Sequence, residues 1–263
     1  MTIILTGDVH QAMGSSDQRF TDCSEAALTV DYARIAARHG VKVTLFFTGR
    51  AIVEDGADAR DLLTMEHMEI GGHGWDALRP RWWHGLLNRL TGSPHGPAWL
   101  QRRMVRCTCA AIERYAGRPV RSWRNHAYRH DQHTPGLLAE AGITVWSDKV
   151  QLECYNPCRH PSGVVILSIN TLPDHEHLYH GVRTPEFVAA EEHGPSYPPD
   201  LWCDQVCTQV ERIGNAGGIA TVLAHPICMK VADDFATFER LCAFLSNYPS
   251  LFASEAAERL CVQ

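Results

Sequence analysis

Short apolar runs alternate with longer stretches of helical periodicity along almost the whole chain. Residues 3–5 are wholly apolar and run into Thr6-Gly7-Asp8, the pattern of a buried strand whose C-terminal end delivers polar groups. Over residues 24–39, Ala27, Val30, Ala33 and Ala36 recur at helical spacing, and Gly40 stands where a helix stops. Residues 41–47 are β-branched and aromatic and predict a second strand closed by Gly49; residues 57–65 predict a helix. A third strand over 67–70 leads into Gly71-Gly72-His73. The pattern then breaks: residues 78–99 carry three tryptophans with Pro80, Pro94 and Pro97, and read as an irregular inserted flap. Helices follow over 100–115 and 134–141, with strands over 119–123, 144–147 and 164–169. Residues 173–199 form a long loop rich in His, Pro and Glu, of a length usually kept for function. A helix over 201–215, a strand over 219–223, a helix over 235–245 and a closing helix over 253–260 complete the chain. Strands alternating with helices imply βαβ units and a parallel sheet, so the expectation is one α/β domain over 1–263, barrel-like, with its functional groups at the C-terminal strand ends.

Composition narrows the partners more than the fold. The net charge is −6, and the 24 Lys and Arg residues form no block, which argues against a nucleic-acid groove. No run approaches 18 apolar residues, so no membrane span is expected. The N-terminal residues lack the basic and apolar regions of a secretory signal, and the expected location is the cytoplasm. Ten cysteines are then expected to be reduced. Cys154 with Cys158 and Cys203 with Cys207 could build a tetrathiolate site, although small buried hydrophobes are the simpler reading. Fifteen histidines, many beside Asp, Gly or Trp, suit a metal site.

Polar residues just past the apolar runs concentrate the chemistry: Asp8 and His10, Thr48-Gly49, His73 and Asp76, Arg124 and His126, Asp148, and His225. In Asp8-x-His10 the two side chains share a strand face, so one can bind a metal while the other takes a proton. Imidazoles and carboxylates together suit zinc or another first-row divalent ion.

These residues also carry a family resemblance. Val43-Thr44-Leu45-Phe46-Phe47-Thr48-Gly49, followed by Glu69-Ile70-Gly71-Gly72-His73, resembles the "ATFFxxG" and "EIGxH" motifs of the polysaccharide deacetylase (NodB-homology, carbohydrate esterase) superfamily, in the same order and spacing. Arg118 to Arg124, the helix ending at Gly142, and Ala224-His225-Pro226 are similar to the later motifs, so the resemblance spans roughly residues 2–245. It implies a distorted (β/α) barrel and a metal-assisted hydrolase of C–N bonds that removes N-acetyl groups from sugars. By the same resemblance Asp8 is the general base, His10 stands in place of a metal-binding Asp, and His73 is a ligand. Arg124 orients the base and His225 is the general acid. The spacing of Asp8 and His10 with His73-x-Trp75-Asp76 is similar to the lipid-linked aminoarabinose deformylases, which adds N-formyl groups to the candidates. Trp75, Asp76 and Trp123 are the expected substrate contacts, with Trp82 and Trp83 as further stacking candidates.

Two positions depart from the family pattern. The metal Asp is His10, and the second His, due four residues after His73, is Ala77. A catalytic zinc needs about three protein ligands. Asp8, Asp76, His84, His126 and the run Asp174-His175-Glu176-His177 could supply the third, with His175 or His177 favoured and His126, His130 and His133 read as polar rim. The expected substrate is a small, or lipid- or nucleotide-linked, amino-sugar intermediate of biosynthesis. A metal-free hydrolase and a non-catalytic carbohydrate-binding relative stay open because of Ala77. A metallophosphoesterase is suggested by Gly7-Asp8-Val9-His10, but no Gly-His-x-His follows.

Overall fold

Seven short, mostly apolar segments are buried side by side, with helices packed against the sheet they form. The computed structural model describes residues 1–14, 16–190 and 194–259. Its strands are β1 (Thr2–Val9), β2 (Val43–Phe47), β3 (Met68–Gly72), β4 (Ser122–Trp123), β5 (Val145–Trp146), β6 (Cys158–Arg159), β7 (Val165–Ile166) and β8 (Ile219–Leu223). They lie in the order β6-β7-β5-β4-β3-β2-β1-β8. Every pairing is parallel except the edge pair of β6 with β7.

The sheet curls into a distorted barrel whose seam lies between β8 and the residues after β7. Two side chains and the Asn170 N–H, which donates to the Thr221 carbonyl (3.4 Å), bridge it. The Asn170 amide donates to the Ile219 carbonyl (2.9 Å), and its oxygen accepts from the Thr221 N–H (2.8 Å). The Thr171 hydroxyl adds a bond to the Thr221 carbonyl (3.2 Å). Side chains thus supply hydrogen bonds that the strand ends would otherwise leave unmade.

Helices pack outside this barrel. Glu25–Arg38, capped by the Ser24 hydroxyl accepting from the Ala27 N–H, buries Tyr32, whose ring stacks on Phe238 at 3.8 Å. Tyr32 also donates to the Ala224 carbonyl (2.8 Å), tying the outer layer to the end of β8. Ala98–Ala116 and Pro199–Asn215 cover other flanks. Among the described residues, no helix is long and apolar enough to cross a membrane.

Three stretches differ from expectation. Residues 57–65 hold only a 3-10 turn, Arg60–Thr64, because the helix forms earlier over Gly49–Asp55, where the Thr48 hydroxyl caps it by accepting from the Ala51 N–H. The flap is not irregular: Arg81–Thr91 is a helix, with Pro80 and Pro97 at N-cap positions where a missing N–H costs nothing. Its inner side buries His84 and Leu87, while Trp82, Leu86 and Leu90 project outward. The long loop contains two short helices, Asp174–His177 and Pro185–Ala189, and a further helix, Pro226–Asp233, starts directly after His225. Residues 191–193 of that loop, and Leu260 of the expected closing helix, lie outside the described residues; Ala256–Arg259 is helical.

Candidate metal centre and acid–base pair

Parallel strands end on one rim, so side chains far apart in sequence meet there. Asp8 lies near the end of β1 with His10 just past it, His73 directly follows β3, Arg124 follows β4, and His225 stands two residues past β8. All five are buried. Close approach at β3 requires glycine: a Cβ on Gly72 would lie 2.3 Å from the Trp123 ring.

Three imidazoles converge beside Asp8. His10 Nε2 is 3.1 Å from His73 Nε2 and 3.0 Å from His126 Nδ1. The structure therefore brings His126 to the pair, and not His175 or His177. His177 turns outward, its ring donating to the Pro195 carbonyl (2.7 Å), and His175 packs between His180 and His225. His126 reaches the pair through an unusual turn: Ala127 and Tyr128 both adopt left-handed backbone (φ 52° and 56°), a conformation that clusters at functional sites. Asp148 braces the turn by accepting from the Asn125 N–H (2.6 Å) and side-chain amide (2.7 Å), and the Trp123 indole donates to the Asn125 oxygen (2.9 Å). Position 77 cannot serve instead. A second His four residues after His73 needs a helical turn, and the chain here is irregular, with Ala77 and Leu78 left-handed (φ 49° and 56°).

The three nitrogens fit a divalent cation. Ligands on a tetrahedral zinc, at Zn–N distances of about 2.0–2.1 Å, sit roughly 3.4 Å apart. The observed 3.0 and 3.1 Å are close to that spacing. His10 Nδ1–H donates to Glu25 Oε2 (2.9 Å), leaving Nε2 with a lone pair aimed at the cluster, and Glu25 also accepts from the His10 N–H (2.8 Å) and the Gln18 amide (2.7 Å). A carboxylate behind a ligand histidine fixes its tautomer and raises its basicity. Burial pushes the His73 imidazolium down to about 3, overriding nearby Asp8, and lowers His126 well below its ordinary value. Both are neutral, as ligands must be.

Beside the histidines lies an acid–base pair. Burial would raise the Asp8 carboxyl, but Arg124, with His225, holds it well below the usual carboxylate range. Arg124, fully buried, donates to Asp8 Oδ1 (2.9 Å), to the Thr6 hydroxyl (3.1 Å) and to Ser147. His225 Nε2 is 3.4 Å from Asp8 Oδ2, and His225 Nδ1–H donates to Asp174 Oδ1 (2.6 Å). Burial disfavours the His225 imidazolium, yet Asp174 and Asp8 together raise its pKa well above the ordinary value. Asp8 is thus ionised and His225 protonated at neutral pH.

The remaining expected contacts sit to one side. Trp75 packs over Gly49, and Asp76 pairs with His84 of the flap helix (3.3 Å). Trp123 is 1% exposed and acts as a floor rather than an open stacking face. These residues border a narrow, largely apolar lobe, and His73 and His126 separate it from an open cavity of about 410 Å³ that contains Asp8, His10, Tyr128 and His225. Glu25 and Asp174 were not assigned these supporting roles in the sequence. Glu25 carries no signal beyond an acidic first helical residue after Ser24, and Asp174 stands out only as the acid opening a His-rich loop.

No family model and no curated protein sequence matches the chain. Solved structures do. A Mycobacterium smegmatis protein provisionally described as a polysaccharide deacetylase is 19% identical with a TM-score of 0.77, covering 100% of this chain and 90% of its own. A Pseudomonas aeruginosa PAO1 protein described in similar terms is 12% identical with a TM-score of 0.70, covering 98% and 89%. Puue allantoinase is 11% identical with a TM-score of 0.66, over 98% and 89%. At these identities the likeness is one of architecture: the chain has the distorted (β/α)-barrel fold of the polysaccharide deacetylase superfamily.

Proposed function

We propose that this protein is a metal-dependent amide hydrolase that removes an N-acetyl or N-formyl group from an amino-sugar substrate. The observation that carries the reading is the buried pair of ionised Asp8 and protonated His225, 3.4 Å apart, beside three convergent imidazole nitrogens. His10, His73 and His126 would hold the cation, and Asp8 Oδ2 lies 3.8 Å from His73 Nε2, near enough to border it. When bound, a divalent cation there supplies Lewis-acid polarisation of the acyl oxygen.

The protein's own groups account for the proton movements. Asp8, its Oδ1 immobilised by Arg124, takes a proton from water on Oδ2 as the water oxygen bonds to the acyl carbon. His225 gives its Nε2 proton to the amide nitrogen as the C–N bond breaks, releasing a carboxylate and an amine. Asp174 supports the charge of His225 before that transfer. The open cavity receives the sugar, with the Tyr128 hydroxyl kept protonated by burial as a donor, and the apolar lobe beside Trp75 receives the acyl group. A small or lipid- or nucleotide-linked biosynthetic intermediate suits a cavity of this size better than a polymer groove.

Hydrolysis of N-acetylated and N-formylated amino sugars by the wild type and Asp8→Asn tests the reading. The variant is expected to lose about 10²–10⁴-fold in kcat, while His126→Ala loses bound metal. Full activity in Asp8→Asn would sink the mechanism.

A further inference from the structure

Outside the three histidines, a second set of metal-ligating side chains converges. Asp17, His175, His180 and Cys228 each present one ligand atom, and these atoms lie within 4.8 Å of one another. They come from separate segments: the 3-10 turn Ser16–Phe20, the chain from Asp174 through His180, and the helix Pro226–Asp233.

His180 is the telling member. Its side chain is 1% exposed, and its Nδ1–H donates to the Leu178 carbonyl (2.7 Å), so Nε2 is the ring nitrogen left to face the cluster. That nitrogen is buried, makes no hydrogen bond, and lies 3.2 Å from Asp17 Oδ2. A buried polar atom without a hydrogen bond is costly, and a cation between that nitrogen and the carboxylate would give it a bond. Across the cluster, His175 Nδ1 is 3.8 Å from Cys228 Sγ. Tetrahedral zinc, at about 2.0–2.1 Å to nitrogen or oxygen and about 2.3 Å to sulfur, requires separations of roughly 3.4 and 3.6 Å for these two pairs. The observed 3.2 and 3.8 Å straddle those values.

We propose that Asp17, His175, His180 and Cys228 form a second divalent-cation site, selective for zinc and separate from the three histidines at the barrel mouth. A sulfur, two imidazoles and a carboxylate suit zinc and exclude magnesium and calcium, which take oxygen ligands. Binding would release the Cys228 thiol proton to solvent as the sulfur–metal bond forms. The site would staple the wall of the open cavity, which Asp17 and His175 line. It would also fix the segments bearing Asp174 and His225, since Asp174 precedes His175 and the His175 ring lies 5.8 Å from that of His225. The site does not depend on the reaction assigned to Asp8.

Cobalt titration of the metal-free full chain, read by metal stoichiometry and absorption, tests this. Thiolate-bound cobalt gives a near-ultraviolet charge-transfer band, and the three-histidine centre has no sulfur. The wild type is expected to bind two equivalents and to show the band. Cys228→Ser and His180→Ala should each lose one equivalent and the band, and His126→Ala should lose one equivalent and keep it. His175→Ala, altered at the cavity wall rather than in the core, gives the same reading should the buried variants fail to fold. A single equivalent without the band, or a band that survives these substitutions, overturns the proposal and leaves the three-histidine centre standing. A single equivalent with the band keeps this site and removes the other. A simple ion pair of protonated His180 with Asp17 predicts the first of these failures.

Discussion

At the scale of single residues, the site works by holding opposite charges where burial alone would forbid them. Desolvation would neutralise both Asp8 and His225, and Arg124 on one side and Asp174 on the other reverse that outcome. The pH consequence has a definite sign. Asp8 has a depressed pKa, so the base form persists to low pH and is lost only as pH falls through that value. His225 has a raised pKa, so the acid form persists through neutrality and is lost as pH rises through it. A bell-shaped kcat/KM profile is expected, its alkaline limb set by His225. Asp174→Asn removes one of the charges that raise that pKa and should move the alkaline limb to lower pH. A fall in rate at every pH with no shift of the limb would show that Asp174 only supports the structure.

At the scale of elements, two contacts place the proposed catalytic groups. The Trp123 ring lies against Gly72 and carries Asn125, which precedes His126. Gly72→Ala would drive a methyl into that ring, an overpacking cost of about 1–3 kcal/mol. The displacement passes along the chain to His126, so metal affinity measured by titration should fall along with the urea midpoint. The barrel seam is the second contact. Asn170→Ala leaves the Ile219 carbonyl and the Thr221 N–H without their side-chain partner, and each such buried group costs about 1–3 kcal/mol. Because β8 leads directly to His225, the variant should lose both unfolding free energy in urea and activity. A variant as stable as the wild type would show that the seam closes without that side chain.

At the scale of the whole molecule, the barrel gathers the three proposed ligands from the ends of β1, β3 and β4, so metal binding should be coupled to global stability. A cation held at about 1,000 times its Kd stabilises the folded state by about 4 kcal/mol. Chelation should therefore abolish hydrolysis and lower Tm, and added zinc should restore both. Hydrolysis that continues in rigorously metal-free protein would point instead to acid–base catalysis by Asp8 and His225 alone.

The sequence by itself determined the barrel class and the rim. Apolar runs mark the strands, and a polar residue just past such a run can only sit at a strand end, which made Asp8, His10, His73, Arg124 and His225 legible as one group. It also showed that position 77 is vacant of a ligand. Only the tertiary structure decided which third imidazole meets His10 and His73. Local pattern is silent on the left-handed turn at Ala127 and Tyr128 that swings His126 inward, and it favours the His-rich run at 174–177, of which Asp174 hydrogen-bonds to the acid–base pair while His175 only packs beside it. Glu25 behind His10 and the side-chain seam at Asn170 were hidden for the same reason. Periodicity reports which face of an element is buried, whereas a ligand set depends on how separate elements are oriented when they meet.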